Sequence, residues 1–162
     1  MATDLKIKYG TSTSFTLTLA SLASSATAGR ESTAVDNTSN LYVDAMVRVQ
    51  CKLQSGSPAN DKAIYIYVYG SEDGTNYTDN ATGSDAAITL RDPTNLKLIG
   101  VIACPDSGAL TYKSSPMSVA GAFGGIMPRK WGIVVRNYTG ITFDATEGNQ
   151  AYAYTGIQYS NV

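Results

Sequence analysis

The sequence predicts an all-β protein, an antiparallel two-sheet sandwich of the jelly-roll type with little or no helix, in one domain over residues 1–162. Three observations predict it. Residues 41–53 alternate without a break, with Leu41, Val43, Ala45, Val47, Val49, Cys51 and Leu53 at the odd positions. A period of two is a strand with one dry and one wet face. No stretch carries a convincing apolar period of 3.6. Further alternating runs are joined by loops of unequal length, as in Greek-key and jelly-roll sandwiches.

The elements follow in order. Residues 1–13 are expected to form an extended N-terminal arm. Lys6 and Lys8, an apolar run after Phe15 and Ala26-Thr27-Ala28 imitate a secretory leader. Thr16 and Thr18 interrupt the apolar run such a leader needs, so the segment is expected to be a strand with Phe15, Leu17 and Leu19 inward. Residues 21–40, rich in Ser, Thr and Ala, should cross the end of a sheet. The strand over residues 41–53 would be about 40 Å long at roughly 3.3 Å per residue. Residues 54–58 form a loop on composition.

Residues 63–69 resume the alternation, with Ile64, Ile66 and Val68 on one face and Tyr65, Tyr67 and Tyr69 on the other. Asp73-Gly74 then predicts a hairpin turn. Further strands are expected at 87–91, 96–103, 110–114, 131–138, 141–143 and 150–159, and a long Gly-rich loop at 118–127. Trp131 shares its parity with Ile133 and Val135 and is expected in the core.

Composition bounds the function. Charged residues make up 15% of the chain, against about 25% in an average globular domain. The polar surface is therefore built from Ser, Thr, Asn, Gly and Tyr. Twelve basic residues face 13 acidic ones, and Arg129-Lys130 is the one adjacent basic pair. A phosphate backbone needs a clustered cationic face, so no nucleic-acid partner is expected. No apolar run approaches the roughly 18 residues of a membrane span, and no membrane partner is expected.

The chain has no histidine, which removes Ser-His-Asp and Cys-His catalysis. Cys51 and Cys104 are expected to be reduced, and they are too few for a zinc site. The glutamates, Glu31, Glu72 and Glu147, are expected to be solvated loop charges rather than a glycosidase pair. Glu72, Asp73, Asn76 and Asp79 bunch around one turn, as oxygen ligands of a calcium loop do, but turn chemistry accounts for them. No catalytic residue, cofactor or metal is expected. The eleven tyrosines supply rigid apolar surface with a hydrogen-bonding tip, so Tyr65, Tyr67, Tyr69, Tyr152 and Tyr154 are the candidate interface residues.

The 41–53 strand and the run Ile64-Tyr65-Ile66-Tyr67-Val68-Tyr69-Gly70-Ser71-Glu72-Asp73-Gly74-Thr75-Asn76-Tyr77 carry a resemblance. In layout, in its lack of histidine and in its Met-Ala-Thr start, the chain resembles tailed-bacteriophage virion proteins. It is most similar to small jelly-roll capsid decoration, or cement, proteins. The resemblance implies a homotrimer in the virion, assembled in the host cytoplasm, that holds neighbouring capsomers together with the major capsid protein as partner. It carries no functional residue over. The segment from Tyr69 to Tyr77 is also similar to the Asp-Gly hairpin of discoidin-like carbohydrate-binding sandwiches. That similarity implies the alternative, a glycan- or receptor-binding module of a head fibre or tail adhesion domain.

Overall fold

The alternating runs sort their residues onto two facing sheets. The computed structural model describes residues 4–161. Its strands are β1 (Leu5–Ser14), β2 (Ala28–Glu31), β3 (Val35–Asp36), β4 (Asp44–Lys52), β5 (Ala63–Ser71), β6 (Ala86–Thr89), β7 (Lys97–Ala103), β8 (Thr111–Lys113), β9 (Met117–Ser118), β10 (Lys130–Tyr138) and β11 (Ala151–Asn161). One sheet runs β1-β11-β4-β8, with β9 also on β4; the other runs β6-β2-β10-β5-β7, with β3 also on β10. All pairings are antiparallel.

The order is that of a rolled hairpin. With β3 and β6 set aside and β8 and β9 counted together, the first strand pairs with the last, β1 with β11. The second pairs with the second-last, β2 with β10, then β4 with β8–β9 and β5 with β7. This is jelly-roll winding, and the protein is an all-β two-sheet sandwich.

The predicted inner faces meet between the sheets. Ala45, Val47, Val49, Cys51 and Leu53 are all fully buried, as are Ile64, Ile66 and Val68 and, on β10, Trp131, Ile133 and Val135. At one end Phe15, Trp131 and Tyr154 pack edge-on or tilted, with centroids 5.0–5.7 Å apart. One aromatic comes from the inter-sheet crossing and one from each sheet, so the cluster ties three segments together.

Several expected boundaries shift. The long strand begins at Asp44, not Leu41. Asp36 caps the single helical turn α1 (Asn37–Asn40), and Leu41 follows at φ 54°, exposed. The Asn37 side chain then holds the backbone of Tyr42 at both N–H and C=O. Local capping outcompetes the alternating pattern here. Residues 15–19 do point inward at Phe15, Leu17 and Leu19, but they pair in no ladder. Phe15 N–H donates to Tyr152 of one sheet while the Thr16 carbonyl accepts from Thr33 beside the other, because the chain is crossing between sheets.

Residues 21–40 contain β2, β3 and α1 instead of a plain crossing. Residues 141–143 form no strand, only a bridge from Phe143 to Leu53. The 118–127 loop holds a 3-10 turn at Ala120–Phe123. Of the expected N-terminal arm, residues 1–3 lie outside the described residues, and Leu5 onward is edge strand β1.

Asp73-Gly74 makes no hairpin. The partners of β5 are β10 and β7, and after the turn the chain crosses the outer face of the sheet to reach β6 beside β2.

Burial fixes which face of β4 tolerates charge. Val47→Asp should cost at least about 4 kcal/mol by placing an unpaired carboxylate in the core. Arg48→Asp, on the exposed side, should leave the thermal midpoint within a few degrees of wild type. Thermal unfolding followed by circular dichroism separates the two.

Candidate interaction surfaces

The tyrosines of β5 occupy the sheet's outer face, as their parity requires, yet that face is not bare. The excursion between β5 and β7 lies across it and closes a second, smaller core of Tyr67, Tyr69, Ile88, Leu90, Leu96 and Val134. Tyr69 is fully buried, donates its hydroxyl to the Ser32 carbonyl at 2.6 Å and meets the Tyr77 ring edge-on at 5.6 Å. Burial, with the nearby Glu31 carboxylate, raises its phenol well above the ordinary range. Tyr67 is almost buried. Tyr65 is half-exposed, and its hydroxyl donates to Asp61 at 2.7 Å.

Tyr152 and Tyr154 face the inner side of β11. Tyr154 belongs to the aromatic cluster, and Tyr152 donates to the Leu17 carbonyl and to Glu147. The five candidate tyrosines are therefore mostly engaged inside the protomer, with Tyr65 and Tyr152 keeping part of their surface. Parity told which face each ring took but not what lies over that face.

The structure exposes a different apolar surface. Strand β4 pairs with β11 only as far as Asp44–Ile157, so beyond that point β11 pairs with β1 alone. The partners there are Lys8–Gln158, Ile7–Tyr159, Lys6–Ser160 and Leu5–Asn161. Directly opposed residues of an antiparallel pair share a face. Leu5, Ile7, Tyr9 and Tyr159 thus line one side of a two-stranded ribbon, with Lys6 and Lys8 on the other. These four are 61%, 63%, 66% and 58% exposed. Ile126, 77% exposed, shares a shallow groove with Tyr159, Tyr42 and Met127.

The alternation Leu5-Lys6-Ile7-Lys8-Tyr9 was a legible signal for the strand. Its lack of a covering layer was not legible. Among the described residues the outer edge of β1 is also unpaired, and such an edge is a template for another chain unless charges guard it.

Several carboxylates are bonded into the fold. Glu31 is fully buried on β2, not a loop charge, and accepts from the Thr82 N–H and hydroxyl and the Gly83 N–H. Glu147 accepts the N–H groups of Leu19 and Ala20 at 2.9 and 2.6 Å. Asp73 accepts from the Asn76 and Thr75 N–H groups, the Asn76 amide and the Ser71 hydroxyl. Asp79 accepts from Thr94 and Asn95. Among the described residues no group of three or more His, Cys, Asp or Glu is placed to hold a metal ion. Cys51 and Cys104 are free and buried. Burial pushes both thiols up, that of Cys104 to about 12, so neither is a ready nucleophile.

No family model, no curated protein and no solved structure matches the chain.

The backbone donors of Asn76 and Thr75, then the Asn76 amide and Ser71 hydroxyl, hold the Asp73 carboxyl far below the ordinary carboxylate range. A depressed folded-state pKa stabilises above the unfolded value of about 3.9, and the contribution is lost as pH falls through the folded pKa. Asp73→Asn should therefore melt below wild type at pH 6, and the gap should shrink in strong acid. Melting curves of both proteins from about pH 6 to about pH 2, across the carboxylate range, check this.

Proposed function

We propose that the protein is a non-enzymatic structural protein of a tailed-bacteriophage virion, a capsid decoration protein that assembles as a homotrimer and bridges neighbouring capsomers. The observation that carries the assembly half of this reading is the bare apolar face of the β1–β11 ribbon, Leu5, Ile7, Tyr9 and Tyr159. Withdrawing such side chains from water contributes about 1.5–3 kcal/mol each when burial is complete. The ribbon extends past the edge of β4, where a neighbour can reach it without disturbing the sandwich.

Jelly-roll winding supports the virion setting by analogy, since capsid and lectin domains both use it. The mechanism is passive. Apolar contacts between copies, repeated around a shell, make individually modest attachments collectively strong. The 15% charge content suits such contacts, which lose little to salt. The carbohydrate-binding alternative is the weaker one, because Tyr69 of its Asp-Gly segment is enclosed and packed on Tyr77.

Light scattering of the purified protein should give a trimer at micromolar concentration, and the paired change Ile7→Asp with Tyr159→Ser should give a folded monomer. Wild type should also bind phage shells stripped of decoration, and the double variant should bind at least about tenfold more weakly. A wild-type monomer that does not bind such shells would reject the proposal.

A further inference from the structure

The outer face of the β6-β2-β10-β5-β7 sheet retains one cavity of about 300 Å³ that the second core leaves open, with Thr27, Tyr67, Arg91, Asp92, Thr94 and Arg136 on its wall. Arg136 has no carboxylate within ion-pair distance among the described residues. It is nevertheless held rigidly. Its guanidinium lies over the Tyr65 ring at 4.2 Å, against the Tyr138 ring at 5.3 Å, and Nη1 donates to the Ala26 carbonyl at 3.1 Å. Its Nε is buried without an acceptor. Nη2 has no protein acceptor among the described residues and is not enclosed.

The other polar groups on the wall are also only partly used. Arg91 donates to Asn80 at 3.1 Å and lies 3.7 Å from Asp79, which fixes it at the rim. Tyr67 is nearly buried, yet its hydroxyl makes no protein hydrogen bond among the described residues. Asp92, an exposed residue at the mouth, accepts none among those residues either.

A preorganised guanidinium whose Nη2 is open and unbonded suits a carboxylate oxygen. An unengaged carboxylate and phenol on residues lining the same cavity suit hydroxyl groups. An anion without hydroxyls, such as sulfate, would meet Arg136 but would also meet the charge of Asp92 with no hydroxyl to offer it. The volume is at the small end of ligand sites, enough for one sugar ring.

We propose that this cavity binds a sugar acid of single-ring size, a hexuronate. Its carboxylate sits on Arg136, with Arg91 at the rim, and its hydroxyls on Asp92 and Tyr67. The site is separate from the β1–β11 ribbon and stands or falls independently of the assembly proposed above.

Titration of the wild-type protein with D-glucuronate, followed by nitrogen–proton NMR, should show saturable shifts at the amides around residues 27, 67 and 92. D-glucose at the same concentration should leave them unmoved. Arg136→Gln should weaken glucuronate binding by roughly tenfold or more. Because Arg136 also packs on two tyrosines, Tyr67→Phe and Asp92→Asn provide a second test. Each removes an unpartnered group, should leave the thermal midpoint unchanged, and should weaken binding about threefold or more. Three results would overturn the proposal: no saturable glucuronate binding, binding indifferent to Tyr67→Phe and Asp92→Asn, or inorganic phosphate binding as tightly as glucuronate.

Discussion

At residues 18–20 the chain passes from one sheet to the other, and its N–H groups have no strand to pair with. Two carboxylates supply the acceptors. Asp85 takes the Thr18 N–H and hydroxyl, and Glu147 takes the N–H groups of Leu19 and Ala20. Asp85 is in turn fixed by Arg30 of β2 at 2.6 Å, and Glu147 by the hydroxyl of Tyr152 on β11. The crossing is thereby tied to both sheets at once. A buried backbone donor left unbonded is costly, so the rolled hairpin can close at this end only because these side chains stand in for a ladder. The crossing joins β1 in one sheet to β2 in the other, so the placement of both strands depends on it.

The same device recurs on the opposite layer. Glu31 reaches from β2 to the backbone of Thr82 and Gly83 and pins the excursion that covers the tyrosine face. Asp85, Glu147 and Glu31 thus each hold backbone N–H groups of a segment distant along the chain, as Asp44 does for Ala120 and Asp79 for Asn95. The covering excursion also decides which surfaces stay open. It encloses Tyr69 and most of Tyr67, leaves a polar cavity beside Arg136, and leaves the β1–β11 ribbon bare on the other sheet.

Much of the architecture was readable from local pattern. Val47, Val49 and Cys51 lie inward because alternation in a strand has one dry side, and Trp131 follows Ile133 and Val135 by the same rule. Where competing local interactions existed, the pattern misled. Leu41 continues the alternation perfectly, but the Asp36 cap and the Asn37 side chain turn the backbone before the strand starts. Asp73-Gly74 makes its turn, but a turn specifies a change of direction and not the strand that receives the chain.

The sequence by itself determined the fold class, the strand faces and the residues of the main core, because side-chain parity and hydropathy are properties of neighbouring residues. Only the tertiary structure decided which faces stay open. Tyr65, Tyr67 and Tyr69 have the composition of an interface and became largely a second core, while Leu5, Ile7, Tyr9 and Tyr159 have the composition of a core and remain exposed. The difference lies in segments distant along the chain, since exposure depends on what a long connection happens to cover, and no local period records that.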